Sequence, residues 1–319
     1  DRPLPRTRIP ERAKGIAMAV ETLEPTPSQP VPAVPRHPRG PAPKPRSWKM
    51  PKTPGQWIVL AVCALATLGM LVPVYVIIAT ALSGSTGAPD FFLAFPDAPS
   101  LDAFKGAWTK LHGSLANSLQ ITIPAALISC LIGSINGYVL AKFPFPGSNA
   151  LFTVLLVGMF IPFQAVIIPV FQFLNMLQLQ GSIFGLIVVH VIYGIPITTL
   201  IFRNYYEGIP SAIVEAASID GAGIWKTYLR VMLPLSVPGF VVAGIFQCTN
   251  IWNDFLFGFI LASPAAWPAT VTLNNLIGTT TVDYSELMAG AVLVALPTVL
   301  LYLVLGKFFV GGLTAGAVK

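Results

Sequence analysis

Six long apolar runs dominate the chain, at approximately 57–82, 117–141, 150–173, 183–202, 238–260 and 287–306. Each reaches the length of about 20 residues that a helix needs to cross a bilayer. Pro73 interrupts the first run, and Pro162 and Pro169 interrupt the third. A membrane helix tolerates such breaks when its neighbours satisfy the freed carbonyls. The pattern predicts an all-α polytopic membrane protein whose six transmembrane helices fill a domain at 57–319. Residues 1–56 carry no apolar periodicity and hold fourteen prolines. That predicts a disordered, proline-rich cytoplasmic tail.

Composition agrees. The chain is 54% hydrophobic and 10% charged, with a mean hydropathy of +0.73, where soluble domains carry about 25% charged residues. The charges also set an orientation. Residues 1–56 hold eleven Lys or Arg, and Lys142, Arg203, Lys226, Arg230, Lys307 and Lys319 fall on the same side of the six-span scheme. Only Lys105 and Lys110 fall on the other. The positive-inside rule then makes both termini cytoplasmic. The tail has eleven basic and four acidic residues, so it accounts for the formal charge of +6 without a nucleic-acid partner. Attraction to anionic lipid is a second use for such a tail.

Catalytic signatures are missing. The sequence has no G-x-x-x-x-G-K-[ST], no H-E-x-x-H and no G-x-S-x-G. Cys63, Cys130 and Cys248 all fall in apolar runs without metal-ligand spacing, as small packing residues do. His37, His112 and His190 are scattered. His190 lies within a run, where either a functional role or a helix contact fits. No catalytic or metal-binding residue is expected. A chain with so little charge inside its spans also lacks the ionisable relays of a proton-driven carrier. Energy for uphill transport would come from a partner.

Two spans carry further patterns. In the fifth, Gln247, Asn250 and Asp254 follow i, i+3, i+7 spacing on one helical face, with Asn253 beside them. Such groups are costly against lipid and predict a polar path through the protein. Amides and a carboxylate can bind hydroxyls, and Trp252 could stack on a sugar face. The alternative is structural hydrogen bonding between helices. In the second span, Ala125, Ser129, Gly133, Gly137 and Ala141 recur every four residues, a stripe that lets another helix approach closely. Asn136 beside it fits either role.

The loop 203–237 is far longer than the roughly two to eight residues that suffice to join packed helices. Ser211 can cap a short helix over 212–219. Asp220-Gly221 ends it, glycine supplying the left-handed backbone. A second helical segment starts near Gly223 and stops at Pro234. The product is a helix–glycine–helix elbow, kept slim by Ala216 and Ala217, with Glu215 and Ile219 on one side. Such an elbow suits a cleft on another protein.

Glu215-Ala216-Ala217, three residues, Gly221, nine residues, then Val231-x-Leu233-Pro234 resemble the EAA motif of binding-protein-dependent ABC importer permeases. Val231 stands where the family pattern has Ile. The ending KFFVGGLTAGAVK at 307–319 is similar to that of the family's carbohydrate permeases. Residues 203–206, 219–223 and 249–258 look most like permeases of the glucose/mannose type.

The resemblance spans residues 57–319 and implies a type I ABC importer permease fold in a bacterial inner membrane. It implies that Glu215, Ala216, Ala217, Gly221, Leu233 and Pro234 couple the chain to its ATPases. The implied partners are a second homologous permease subunit, two cytoplasmic ATP-binding subunits and an extracytoplasmic sugar-binding protein. ATP and Mg would be used by the ATPases, with no cofactor bound by this chain. Two rivals remain from the residues alone: an ion-coupled secondary transporter, and a membrane scaffold that docks a cytoplasmic protein through the same loop.

Overall fold

The computed structural model describes residues 53–84, 95–96, 98–277 and 282–317, with side chains as far as 306. Most of the proline-rich tail and the two last residues of the C-terminal motif lie outside the described residues. Contacts divide the chain after Val59. Of the first unit, only the beginning of α1 (Pro54–Leu82) is described.

The large unit is built of helices joined by turns and short loops among its described residues. After α1 come α2 (Asp102–Lys142), α3 (Ser148–Gly158), α4 (Phe163–Met176) and α5 (Ile183–Glu207). The loop and fifth span hold α6 (Ser211–Ile219), α7 (Ile224–Thr227), a π-helical stretch at Tyr228–Met232, α8 (Leu233–Leu235) and α9 (Val237–Trp252). Then come α10 (Leu256–Leu261), α11 (Ala269–Asn275) and α12 (Tyr284–Ala317). An isolated bridge joins Gly181 and Ala262.

Four helices are long and apolar enough to cross a membrane, or six spans if each bent pair counts as one. The bends are the main departures from the sequence reading. The third span breaks between α3 and α4 by 98°, and Pro162 holds the extended backbone that starts α4. Pro73 and Pro169, expected to interrupt their spans, instead lie inside continuous helices. The second span is a longer helix than its apolar run, because the hydrophobic criterion ends where the helix becomes amphipathic. Its extension carries the Lys105–Asp102 pair at 2.9 Å and the Lys110–Glu286 pair at 2.7 Å.

The centre is the contact of α2 with α5, and the small-residue stripe makes it. Ser129 and Ala125 are fully buried. The Thr198 hydroxyl donates across the interface to the Ser129 carbonyl at 2.9 Å. A Cβ added at Gly133 would run into Thr198, and one added at Gly137 into the Phe202–Arg203 backbone. Asn136 donates to Thr199 at 3.4 Å, a helix contact. Helix association in lipid lacks the ordinary hydrophobic drive, so this close fit matters. Gly137→Ala is expected to destabilise the chain by about 1–3 kcal/mol through overpacking. A lower unfolding midpoint in detergent would show it, and an unchanged midpoint would contradict the fit.

Candidate functional site

Two features stand out, and α9 connects them. At its N-terminal end lies the elbow of the 203–237 loop. At its C-terminal end lies a polar break beside a cavity. Sixteen residues of helix put about 24 Å between these ends.

The elbow forms because α6 has one buried anchor. Val214 sits in a cluster with Tyr138, Phe202, Tyr206, Tyr228 and Met232. Ile213 and Ala217 are half-buried, the rest of α6, including Glu215 and Ala216, is exposed, and Ile219 is 86% exposed. Among the described residues, no hydrogen bond or ion pair holds the Glu215 carboxylate. Gly221 has φ +74°. Around it, the Ala222 N–H donates to the Ala217 carbonyl at 2.9 Å and the Gly221 N–H to Ser218 at 3.0 Å. These are the paired bonds of a Schellman stop, which requires a left-handed residue. The expected Ser211 cap does not form. The capping position belongs to Pro210, whose φ of −57° and ψ of 132° feed the chain in, and no side chain caps the helix.

Beyond the elbow, the chain climbs through α7, the π-helical stretch and α8 to Ser236, then bends by 74° into α9. Pro234 does not end the segment but lies within α8, and the break follows it. Leu233 is half-buried and Pro234 exposed. Lys142 at the end of α2 donates to the Ile209 carbonyl and ties the loop's other approach. Arg203 pairs with Glu207 at 3.0 Å and lies 4.0 Å over the Phe152 ring, fixing α3 to α5.

The cavity, of about 480 Å³, opens between the broken third span, α5, α9 and the turn after it. Gln247, Asn250, Asn253 and Asp254 all line it. They are not one helical face, however. The fifth span breaks after Trp252, and Asn253 and Asp254 sit in the break. Asp254 accepts from the N–H groups of Phe257 at 3.5 Å and Gly258 at 3.2 Å, so it caps α10. The Thr270 hydroxyl donates to its carbonyl at 2.6 Å. Asn253 donates to the Thr249 carbonyl at 3.0 Å and is exposed. Gln247 is buried, donates weakly to the His190 carbonyl at 3.4 Å, and leaves its Oε1 without a partner.

Trp252 departs from expectation. Its indole N–H donates to the Val294 carbonyl at 2.9 Å, and its ring is buried against α2 and α12. It does not line the cavity, so stacking on a sugar is not open to it there. Aromatic lining comes from Phe163, Tyr193, Phe246, Phe255 and Phe257 instead. His190 had no distinguishing signal in the sequence beyond being polar within a span. Its Nε2 lies 3.8 Å from Asp254 Oδ2, with both side chains nearly buried.

Residues 120–313 match the sequence model of the binding-protein-dependent transport system inner membrane component. A probable ABC transporter permease protein of Pyrococcus horikoshii is 51% identical over 173 residues, which cover 54% of this chain and 63% of that relative. A xylose/arabinose import permease protein of Haloferax volcanii is 38% identical over 234 residues, covering 66% of this chain and 75% of that protein. Among solved structures, a bacterial ABC transporter involved in importing the acidic polysaccharide alginate contains a similar fold. Its TM-score is 0.67 at 23% identity, over 82% of this chain and 100% of that chain.

Proposed function

The chain belongs to the binding-protein-dependent transport system inner membrane component family, and on that premise we propose that it is the permease subunit of an ATP-driven importer of a neutral sugar. The observation that carries the coupling half of this reading is the exposed α6 with its glycine stop. A second homologous permease completes the pathway, and an external binding protein delivers the sugar. Two ATP-binding subunits hydrolyse ATP with Mg and receive the 211–221 helix. Glu215, Ala216, Ala217 and Gly221 form the docking elbow, and Leu233 and Pro234 the arm behind it. ATP binding favours one arrangement of the spans and hydrolysis releases it, an alternation driven by differential affinity. The chain itself performs no chemistry.

The sugar is neutral because the cavity offers amides, an imidazole and aromatic faces but no Lys or Arg in its lining. A uronate would meet Asp254 without a compensating cation, a costly arrangement away from water. Glucose or mannose is the favoured class, on the resemblance of residues 203–206, 219–223 and 249–258. Cells lacking the chain should lose uptake of labelled glucose or mannose and regain it on complementation. Loss of xylose or arabinose uptake alone would move the substrate to pentoses.

Both termini and the elbow face the cytoplasm of a bacterial cell on this reading. In a background without native cysteines, Gly40→Cys and Trp225→Cys should resist a membrane-impermeant thiol reagent in intact cells, whereas Thr109→Cys should react. Labelling at 40 or 225 from outside would reverse the orientation.

A further inference from the structure

A chain of buried hydroxyls fastens the arm between α6 and α9 to the two central helices. The Tyr228 hydroxyl donates to Ser134 Oγ at 3.0 Å. Ser134 and the Tyr206 hydroxyl lie 2.7 Å apart. Tyr206 donates to Ser236 Oγ at 3.1 Å, and Ser236 donates to the Leu233 carbonyl at 2.8 Å. Since Tyr206 spends its proton on Ser236, Ser134 must donate to Tyr206. The protons therefore run one way, from Tyr228 through Ser134, Tyr206 and Ser236 to a backbone carbonyl.

All four side chains are buried. Ser134 belongs to α2, Tyr206 to α5, Tyr228 to the start of the arm's π-helical stretch and Ser236 to the arm's end. Two flanking bonds repeat the pattern. Tyr138 of α2 donates to the Ile224 carbonyl at 3.2 Å, and Tyr205 of α5 donates to the Leu235 carbonyl at 2.7 Å. The arm carries a π-helical stretch at Tyr228–Met232, the local geometry that often marks a functional position. It buries Tyr228 and Met232 and leaves Leu229 and Arg230 exposed.

Apolar packing alone could hold this arm, and burying hydroxyls is unfavourable unless each finds a partner. Here every one does. A fully satisfied network fixes one arrangement where apolar faces could slide. We propose that this hydroxyl chain is the rigid joint through which motion of the 211–221 helix reaches α2 and α5, with Tyr206 and Tyr228 as positioning residues for transport. The inference rests on the importer reading above.

The test uses the complete importer in liposomes: this chain, its permease partner, the ATPase pair and the binding protein. The readout is sugar imported per ATP hydrolysed, with whichever of labelled glucose, mannose, xylose or arabinose the wild type imports. Tyr228→Phe, Tyr206→Phe and the double variant should lower that ratio by about fivefold or more, within the usual range of coupling between sites. ATP hydrolysis and recovery of the complex should stay near wild type. Ser134→Ala should add little to Tyr228→Phe, because both cut the same chain. An unchanged ratio in the double variant overturns the joint. So does a parallel fall in uptake, hydrolysis and complex recovery, which marks a merely structural role. A wild-type assembly that imports none of the four sugars overturns the importer reading, and the joint with it.

Discussion

Gly221→Val is expected to abolish sugar uptake while leaving the chain in the membrane. The cost is one of backbone conformation. Nothing lies within 4 Å of a Cβ built at Gly221, so the space is free. Its φ of +74° is the obstacle. A residue with a Cβ reaches that region only at about 1–2 kcal/mol, and a β-branched one fares worse. Relieving that strain opens the Ala222–Ala217 and Gly221–Ser218 bonds and swings α6 away from the arm. On the proposed reading, small changes in the elbow then become large losses of coupling, because an ATPase partner would engage it in one geometry. Gly221→Ala should fall between. Glu215→Lys should also impair uptake by reversing an exposed charge on the proposed docking face, and Glu215→Gln less so. The measurement is uptake alongside membrane level and co-purifying ATPase. Wild-type transport by Gly221→Val with ATPases bound would remove the elbow from the coupling path.

Asp254 should give the second large effect. Asp254→Ala is expected to reduce uptake strongly while the complex still assembles. Losing the α10 cap costs about 1 kcal/mol, too little to unfold the chain. It would, however, loosen the break that faces the cavity and leave His190 without its 3.8 Å neighbour. Asp254→Asn keeps a capping acceptor and should retain more uptake than alanine. Equal loss in both would shift the role from shaping the break to the charge itself. Normal uptake by Asp254→Ala would take the residue out of the pathway.

What the sequence revealed follows from which forces are local. Apolar length marks a span whether or not the helix is straight, so four runs correspond to continuous helices and the third to a bent pair, while the fifth covers α9 and, beyond a break, α10. The left-handed Gly221 was legible because the Asp-Gly stop is a property of neighbouring residues. The small-residue stripe was legible as packing because its spacing is that of a helix face. The break after Trp252 was not. Leu256–Leu261 is apolar like α9, so the hydrophobic pattern runs on across the turn, although the Asp254 carboxylate accepts from Phe257 and Gly258 there and the Thr270 hydroxyl, from beyond α10, holds the Asp254 carbonyl. Trp252 was misdirected for the same reason. Sequence spacing puts it near Asn253, but its rotation is set by the Val294 carbonyl on a helix distant in the chain. His190 and Asp254 are far apart in sequence, and neither alone signals the pair. The hydroxyl chain is similarly hidden, since Ser134, Tyr206, Tyr228 and Ser236 meet only when three segments fold together.

On the proposed reading, ATP, acting through partner subunits, drives a sugar through this chain. The most direct test of that reading is uptake into proteoliposomes holding the complete assembly, with ATP inside and the sugar-loaded binding protein outside. Accumulation should require ATP, the binding protein and this chain together, and should persist when ionophores collapse every ion gradient. Uptake that survives without ATP and stops with the ionophores would contradict ATP-driven import and point to an ion-coupled carrier.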